Sequence, residues 1–251
     1  TVIDGSGGAP RQADVAIDNG RVTEVGKVSG RGHREIDAQG LLVAPGFVDI
    51  HTHYDGQAAW DKHLAPSSWH GVTTAVMGNC GVGFAPVYVR NRDRLIELME
   101  GVEDIPGTAL HEGIPWQWET FPQYLDFLES LPRDIDLGAQ APHAAIRVHA
   151  MGERAIARQA ATPDEIERMA QATREAIEAG ALGFSTSRTV NHRSISGEHI
   201  PTLRAEADEL MAIARAMGKI GRGVMQVVSD RLDRVDEMDL LERMAQESGR
   251  P

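Results

Sequence analysis

From about residue 41 onward the chain alternates short apolar, β-branched runs with longer amphipathic stretches, and this alternation most constrains its fold. The runs are Leu41-Leu42-Val43 leading into Phe47 to Ile50, then Val72 to Met77, Ile135 to Gln140, Ala181 to Ser187 and Gly223 to Val228. Helical periodicity lies between them, around Asn91 to Glu100, Phe121 to Leu131 and Ala205 to Met217. Another helix is announced by Thr162-Pro163-Asp164-Glu165, an N-cap with proline at the first helical position and carboxylates in the first turn, and is closed by Gly180. Strands separated by helices pair in parallel, because a parallel partner needs a crossover connection.

The chemistry-bearing residues gather where these strands end: His51, His53, Cys80, His143 and Ser185 to Arg188. That is the face on which a (β/α)8 barrel builds its active site. A doubly wound open sheet is the other α/β solution, but no glycine-rich dinucleotide fingerprint opens the first helix. Five barrel strands of eight are legible, so the barrel does not close within these 251 residues. The chain opens on a strand tail, Val2-Ile3, and closes on Gly249-Arg250-Pro251 after a helix, as a segment of a longer protein would.

The texture before residue 45 differs. Asp14 to Ile17 and Arg21 to Val25 flank Asn19-Gly20, a pair whose tolerance of positive φ makes it the strongest local hairpin signal. The expected organisation is a small β-rich domain over 1–44 and the first half or more of a metal-dependent barrel over 45–251.

The net charge of −12 disfavours nucleic acid and anionic membranes as main partners, since both select a basic face. No apolar run approaches the roughly 20 residues that span a bilayer, and TVIDGSGGAP lacks the regions of a signal peptide. The one cysteine, Cys80, cannot form an internal disulfide, which fits a reducing compartment and a cytoplasmic location.

The pair His51 and His53 follows Phe47-Val48-Asp49-Ile50 at the end of a strand. Residues i and i+2 of a strand share a face, so both imidazoles can reach one cation. An isolated H-x-H also occurs on ordinary surfaces. Here the companion is Cys80, between Asn79 and Gly81 at the next strand's end. A lone cysteine is most often buried filler. Its place between Asn79 and Gly81 at a strand end leaves chemistry as the other reading.

These residues resemble the amidohydrolase superfamily, and within it the N-acyl-D-amino-acid deacylases, or D-aminoacylases. The resemblance is carried by VAPGFVDIHTHYD (Val43 to Asp55), SSWHGVTTAVMGNCGVGFAP (Ser67 to Pro86) and GALGFSTS (Gly180 to Ser187). The first motif is shared across the superfamily, and G-N-C-G after the second barrel strand is more specific to the deacylases. The resemblance implies a site for one or two zinc ions, with His51, His53 and Cys80 as ligands and the cysteine standing where other amidohydrolases recruit a carboxylated lysine. The fourth strand carries no lysine, in agreement. It further implies later metal histidines and a general-base aspartate beyond Pro251. The fifth strand departs from the pattern, ending in Val228-Ser229-Asp230 without a histidine-bearing turn; Asp230 could be a polar replacement, but reads first as the N-cap of the following helix.

The implied activity is metal-assisted hydrolysis of N-acyl-D-amino acids, small molecules that would be the chain's partners, with a homo-oligomer left open. Two further readings remain: a cyclic amide hydrolase like dihydropyrimidinase or hydantoinase, and a non-catalytic amidohydrolase-like scaffold. Candidate substrate-binding residues are Asp55, His143, Ser185 and Arg188. Arg188 could pair with a substrate carboxylate, or form an ordinary surface salt bridge. His143 could hold substrate, or be satisfied by its own loop. Asp55 could support a histidine from behind, or form a turn before Gly56. His63, His70, His192 and His199 read as structural or exposed, and the four tryptophans as packing or pocket lining.

Overall fold

A computed structural model describes residues 1–251, which divide into two compact units, Thr1–Phe47 and Val48–Pro251. In the first, β1 (Asp14–Asp18) and β2 (Arg21–Gly26) form an antiparallel hairpin in which Asp18 faces Arg21. The two turn residues, Asn19 and Gly20, have φ of 49° and 74°. Both positive values are what a two-residue turn compatible with strand twist requires. Val2, buried, bridges to Arg11 and to Val43.

The second unit is a five-stranded sheet in the order β3 (Phe47–Asp49), β4 (Val72–Met77), β5 (Asp136–Pro142), β6 (Gly183–Arg188) and β7 (Val224–Ser229). From β4 to β7 every pairing is parallel, and each strand lies beside its sequence neighbour. This is the progression of a (β/α)8 barrel through five strands, an open half-barrel. Between β4 and β5 run α1 (Arg92–Glu103), α2 (Gly107–Gly113) and α3 (Phe121–Glu129). Between β5 and β6 lie α4 (His143–Met151), the single turn α5 (Glu153–Ile156) and α6 (Pro163–Ala179). Helix α7 (Ala207–Ile220) joins β6 to β7, and α8 (Val235–Ser248) follows.

The helices begin where their side chains can satisfy free N–H groups. At α6 the Thr162 hydroxyl accepts the Glu165 N–H at 3.3 Å, and the Glu165 carboxylate accepts the Thr162 N–H at 2.7 Å. Thr120 and Gln123 repeat this reciprocal cap at α3. Such a cap contributes about 1 kcal/mol. Helix α6 turns Met169, Thr173, Ala176 and Ile177 inward, the three- and four-residue steps of one helical face. They pack into a core that includes Met77, Ala139, Ala141 and Phe184 from the strands and Leu95, Met99, Tyr124 and Met217 from the helices. A residue as enclosed as Ile177 makes a truncation to alanine cost roughly 2 to 5 kcal/mol. A smaller cluster of Leu210, Met211, Ala214, Leu240 and Met244 holds α8 on α7.

Two expectations are corrected here. The segment after β5 is not a loop: α4 starts at His143 itself, directly after Pro142. Asp230 does not cap α8, which begins at Val235 behind Arg234; its carboxylate accepts hydrogen bonds from the Thr189 hydroxyl and the Val190 N–H. A side chain engaged by the loop after β6 cannot also cap a helix starting five residues downstream.

Candidate metal centre

Strand β4 ends in a turn whose backbone aims Cys80. Gly78, Cys80 and Gly81 all have positive φ, at 74°, 56° and 73°. A side chain at Gly78 would also collide with the chain, because its Cβ would sit 2.2 Å from the Gln140 carbonyl oxygen. Cysteine in the left-handed region costs of order 1 to 3 kcal/mol and persists only where its surroundings fix it. Here they do. Buried Asn79 donates from Nδ2 to the carbonyls of Thr52 and Val76 at 3.1 and 2.9 Å, and its Oδ1 accepts from Gln140 at 2.8 Å. Ser185 Oγ accepts the Gly81 N–H at 3.0 Å and donates to the Gly78 carbonyl. Each letter of G-N-C-G therefore has a mechanical role.

The histidines arrive from the end of β3. Thr52 faces the other way, with its N–H and hydroxyl both bonded to the Val76 carbonyl at 2.9 and 2.8 Å. His51 and His53 share the opposite side, their ring centroids 5.4 Å apart. His51 Nε2 lies 3.2 Å from Cys80 Sγ, and one donor atom from each of His51, His53 and Cys80 falls within 4.8 Å of the others. His51 is exposed, His53 half-buried and Cys80 buried, so the cluster opens toward solvent at one histidine.

The donor set fits a borderline-soft divalent ion such as zinc, which takes imidazole nitrogen and thiolate sulfur together. His53 supplies a direct test of that fit: its Nδ1 is buried and has no hydrogen-bond partner. An unpaired buried polar atom is costly unless something binds it.

Burial favours the neutral forms of the titratable groups around the cluster. Burial, with Glu103 and Asp55 nearby, pushes the Cys80 thiol up to about 12. Burial raises Glu103 to about 7, with Asp104 adding to it. Burial raises Asp55 to about 7 as well, although the Gly78 N–H acts in the opposite direction. His53 is lowered to about 4 by burial and by the neighbouring His51 and His192. A divalent ion would be the largest charge in such surroundings and would reverse the balance, favouring thiolate and carboxylate.

Glu103 and Gln226 belong to this site although the sequence reading passed over them. Glu103 Oε1 is 3.2 Å from His53 Nε2. It lies in the last turn of α1, where a carboxylate opposes the helix dipole, and that misplaced charge was the available signal. Gln226, the polar interruption in β7, accepts the Cys80 N–H on Oε1 at 3.0 Å and places Nε2 3.3 Å from His51 Nδ1. It ties two candidate ligands together. His192, read as structural, bonds Ser187 Oγ at 2.8 Å and lies close enough for its charge to act on His53.

The residues expected to bind substrate have protein partners instead. Asp55, buried, accepts the Gly78 N–H at 3.2 Å and so braces the cysteine turn rather than a histidine. Ser185 is wholly buried in the bonds to that turn. His143 is wholly buried, its Nε2–H donating to Glu209 and its Nδ1 accepting from Thr186, both at 2.8 Å. Arg188 commits Nε and Nη2 to the Glu237 carboxylate at 2.7 and 3.0 Å, and Nη1 to the Ala205 carbonyl at 2.8 Å. A planar fork already filled by a carboxylate is not available to a substrate, so Arg188 forms a salt bridge, buried rather than at the surface as expected.

The chain is 32% identical over 222 residues to a D-aminoacylase of Alcaligenes xylosoxydans xylosoxydans, a match covering 88% of this chain and 41% of that protein. A D-aminoacylase structure described as having a binuclear metal centre superposes with a TM-score of 0.79 at 29% identity, covering 100% of this chain and 48% of the other. The N-acyl-D-glutamate deacylase of Bordetella bronchiseptica, complexed with zinc and a phosphonate inhibitor, gives 0.74 at 27%, covering 99% and 48%. The chain thus spans less than half the length of the relatives it matches. The amidohydrolase family profile matches residues 34–251, most of the chain and all three candidate ligands, and the chain belongs to the amidohydrolase family.

Proposed function

We propose that this chain supplies part of the metal centre of a hydrolase that cleaves the amide bond of N-acyl-D-amino acids, with one or two zinc ions bound. The observation that carries the reading is the convergence of His51, His53 and Cys80, with an unpartnered buried nitrogen on His53. Relatives that are D-aminoacylases and zinc-containing deacylases support the substrate class.

Zinc bound there would lower the pKa of water toward about 7 and polarise the scissile carbonyl. The chain's own residues prepare for it. Gln226 and the turn from Gly78 to Gly81 hold Cys80 in its left-handed conformation facing His51. Glu103, 3.2 Å from His53 Nε2, fixes the His53 ring from the side away from its unpartnered Nδ1. Exposed His51 leaves a side open for substrate. The general base is assigned to the expected aspartate outside these residues. No helix is long and apolar enough to cross a membrane. A thiolate ligand must stay reduced to bind, which favours a cytoplasmic setting.

The test uses the full-length protein loaded with zinc. It should release free amine from an N-acyl-D-amino-acid panel and leave hydantoins unopened, and Cys80→Ser should abolish the release. No amine release from a broad acyl panel would sink the deacylase reading, and hydantoin opening would favour the cyclic amide alternative.

A further inference from the structure

Beyond β6 and β7, at the same strand ends as the metal cluster, lies a cavity of about 380 Å³ lined by Ala157, Arg158, Val190, His199, Leu203, Arg204 and Arg231. Its lining holds three arginines, a histidine and no carboxylate. In a chain of net charge −12 such a concentration of cations is unexpected. None of the three arginines is among the salt-bridged ones, which include Arg11, Arg94, Arg147, Arg154, Arg188, Arg215 and Arg234. Nearby carboxylates are committed elsewhere: Asp230 to Thr189 and Val190, and Glu237 to Arg188 and Ser229.

The wall is built. Arg158 has a left-handed backbone, φ 54°, and its Nη1 donates to the carbonyls of Ile156 and His199, each at 3.0 Å. That anchors the guanidinium with donors to spare. His199 adds a buried Nδ1 with no hydrogen-bond partner. Ala157, Val190 and Leu203 make the remaining surface apolar.

We propose that this cavity binds the carboxylate of a small organic acid, with Arg158, Arg204, Arg231 and His199 taking the charged end and the apolar residues its hydrocarbon body. Arginine forks match carboxylates bidentately, and guanidinium groups with no carboxylate of their own are free to take one from a ligand. The apolar wall distinguishes an organic acid from inorganic phosphate, which has nothing to place there. This proposal stands without the hydrolytic reading, because no metal ligand takes part.

The experiment is calorimetric titration of the full-length protein with hexanoate, its neutral isostere hexanamide, and inorganic phosphate. Hexanoate should bind with the highest affinity and hexanamide not at all. The double variant R204Q/R231Q should weaken hexanoate about 100-fold, roughly tenfold for each charge-assisted bond lost. Both side chains are exposed, so the variant should keep its metal content and melting temperature. Restoring charge with Arg231→Lys in place of R231Q should recover part of the affinity. Undiminished hexanoate binding by the double variant, equal binding of hexanamide, or no hexanoate binding by the wild type would overturn the proposal. Competition separates the sources of the carboxylate: displacement of hexanoate by N-acetyl-D-leucine assigns the site to the substrate, and its retention assigns it to a separate acid.

Discussion

Replacing Glu209 with glutamine should be among the most destabilising single changes in the barrel unit. Glu209 sits in the first turn of α7, 1% exposed, and its carboxylate joins His143 and Arg147, both 0% exposed. Burial lowers the His143 pKa, so the imidazole is neutral and Arg147 balances the carboxylate. Glutamine keeps the shape but deletes the charge, leaving a buried guanidinium whose other partner is the Gln159 carbonyl. Breaking a buried pair from one side costs about 3 to 5 kcal/mol, whereas replacing both partners by apolar residues is often close to neutral. With a urea m-value of about 3 kcal/mol/M, E209Q should lower the unfolding midpoint by roughly 1 to 1.7 M at pH 7. The double variant R147M/E209M should lose much less. The sign with pH follows from Glu209, where burial alone would raise the pKa but the bonds and charges of His143 and Arg147 outweigh it and lower it. Stability from the pair is therefore present above the ordinary glutamate value and fades as pH falls through the lower folded value. A loss under about 1 kcal/mol for E209Q would refute the reasoning, as would a double variant no better than the single.

Three other outcomes are expected. Gly78→Ala should cost roughly 3 kcal/mol or more in thermal or urea unfolding, because its Cβ meets the Gln140 carbonyl at 2.2 Å on a backbone of positive φ; a neutral effect would contradict the geometry of the turn. Gln226→Leu should leave the fold intact and weaken zinc by about 10- to 100-fold in chelator competition, since it loosens Cys80 and His51 together; an unchanged affinity would remove Gln226 from the site. Zinc uptake must expel the Cys80 proton, whose pKa stands at about 12, while His53, at about 4, is already neutral. Affinity should accordingly rise about tenfold per pH unit between roughly pH 7.5 and 9, and a flat profile would show that the thiol is not a ligand.

Much of the frame is legible in the residues because local rules decide it. Asn19-Gly20 forms its hairpin, Thr162 to Glu165 its reciprocal cap, and Val72 to Met77 is a strand over those same residues. Helix α4 escaped because His143 to Val148 is buried on all sides, which erases the polar face that periodicity needs. Helix α2 begins and ends on glycine and is held by buried Leu110 rather than by propensity. At the site, His51 and His53 were readable from strand alternation, and Cys80 from the resemblance carried by G-N-C-G. Their partners were not: Glu103 reaches the cluster from the end of α1 and Gln226 from β7, 146 residues from Cys80, and Glu237 meets Arg188 across 49 residues of chain. A buried ion pair and a substrate clamp look alike in sequence, and only the position of the carboxylate tells them apart.

The most direct measurement is the metal content of the full-length protein by elemental analysis, comparing the wild type with Cys80→Ser and His53→Ala variants confirmed as folded. About one or two zinc per chain in the wild type, falling in both variants, is the predicted result; zinc retained in full without Cys80 or without His53 would contradict a centre built on those residues.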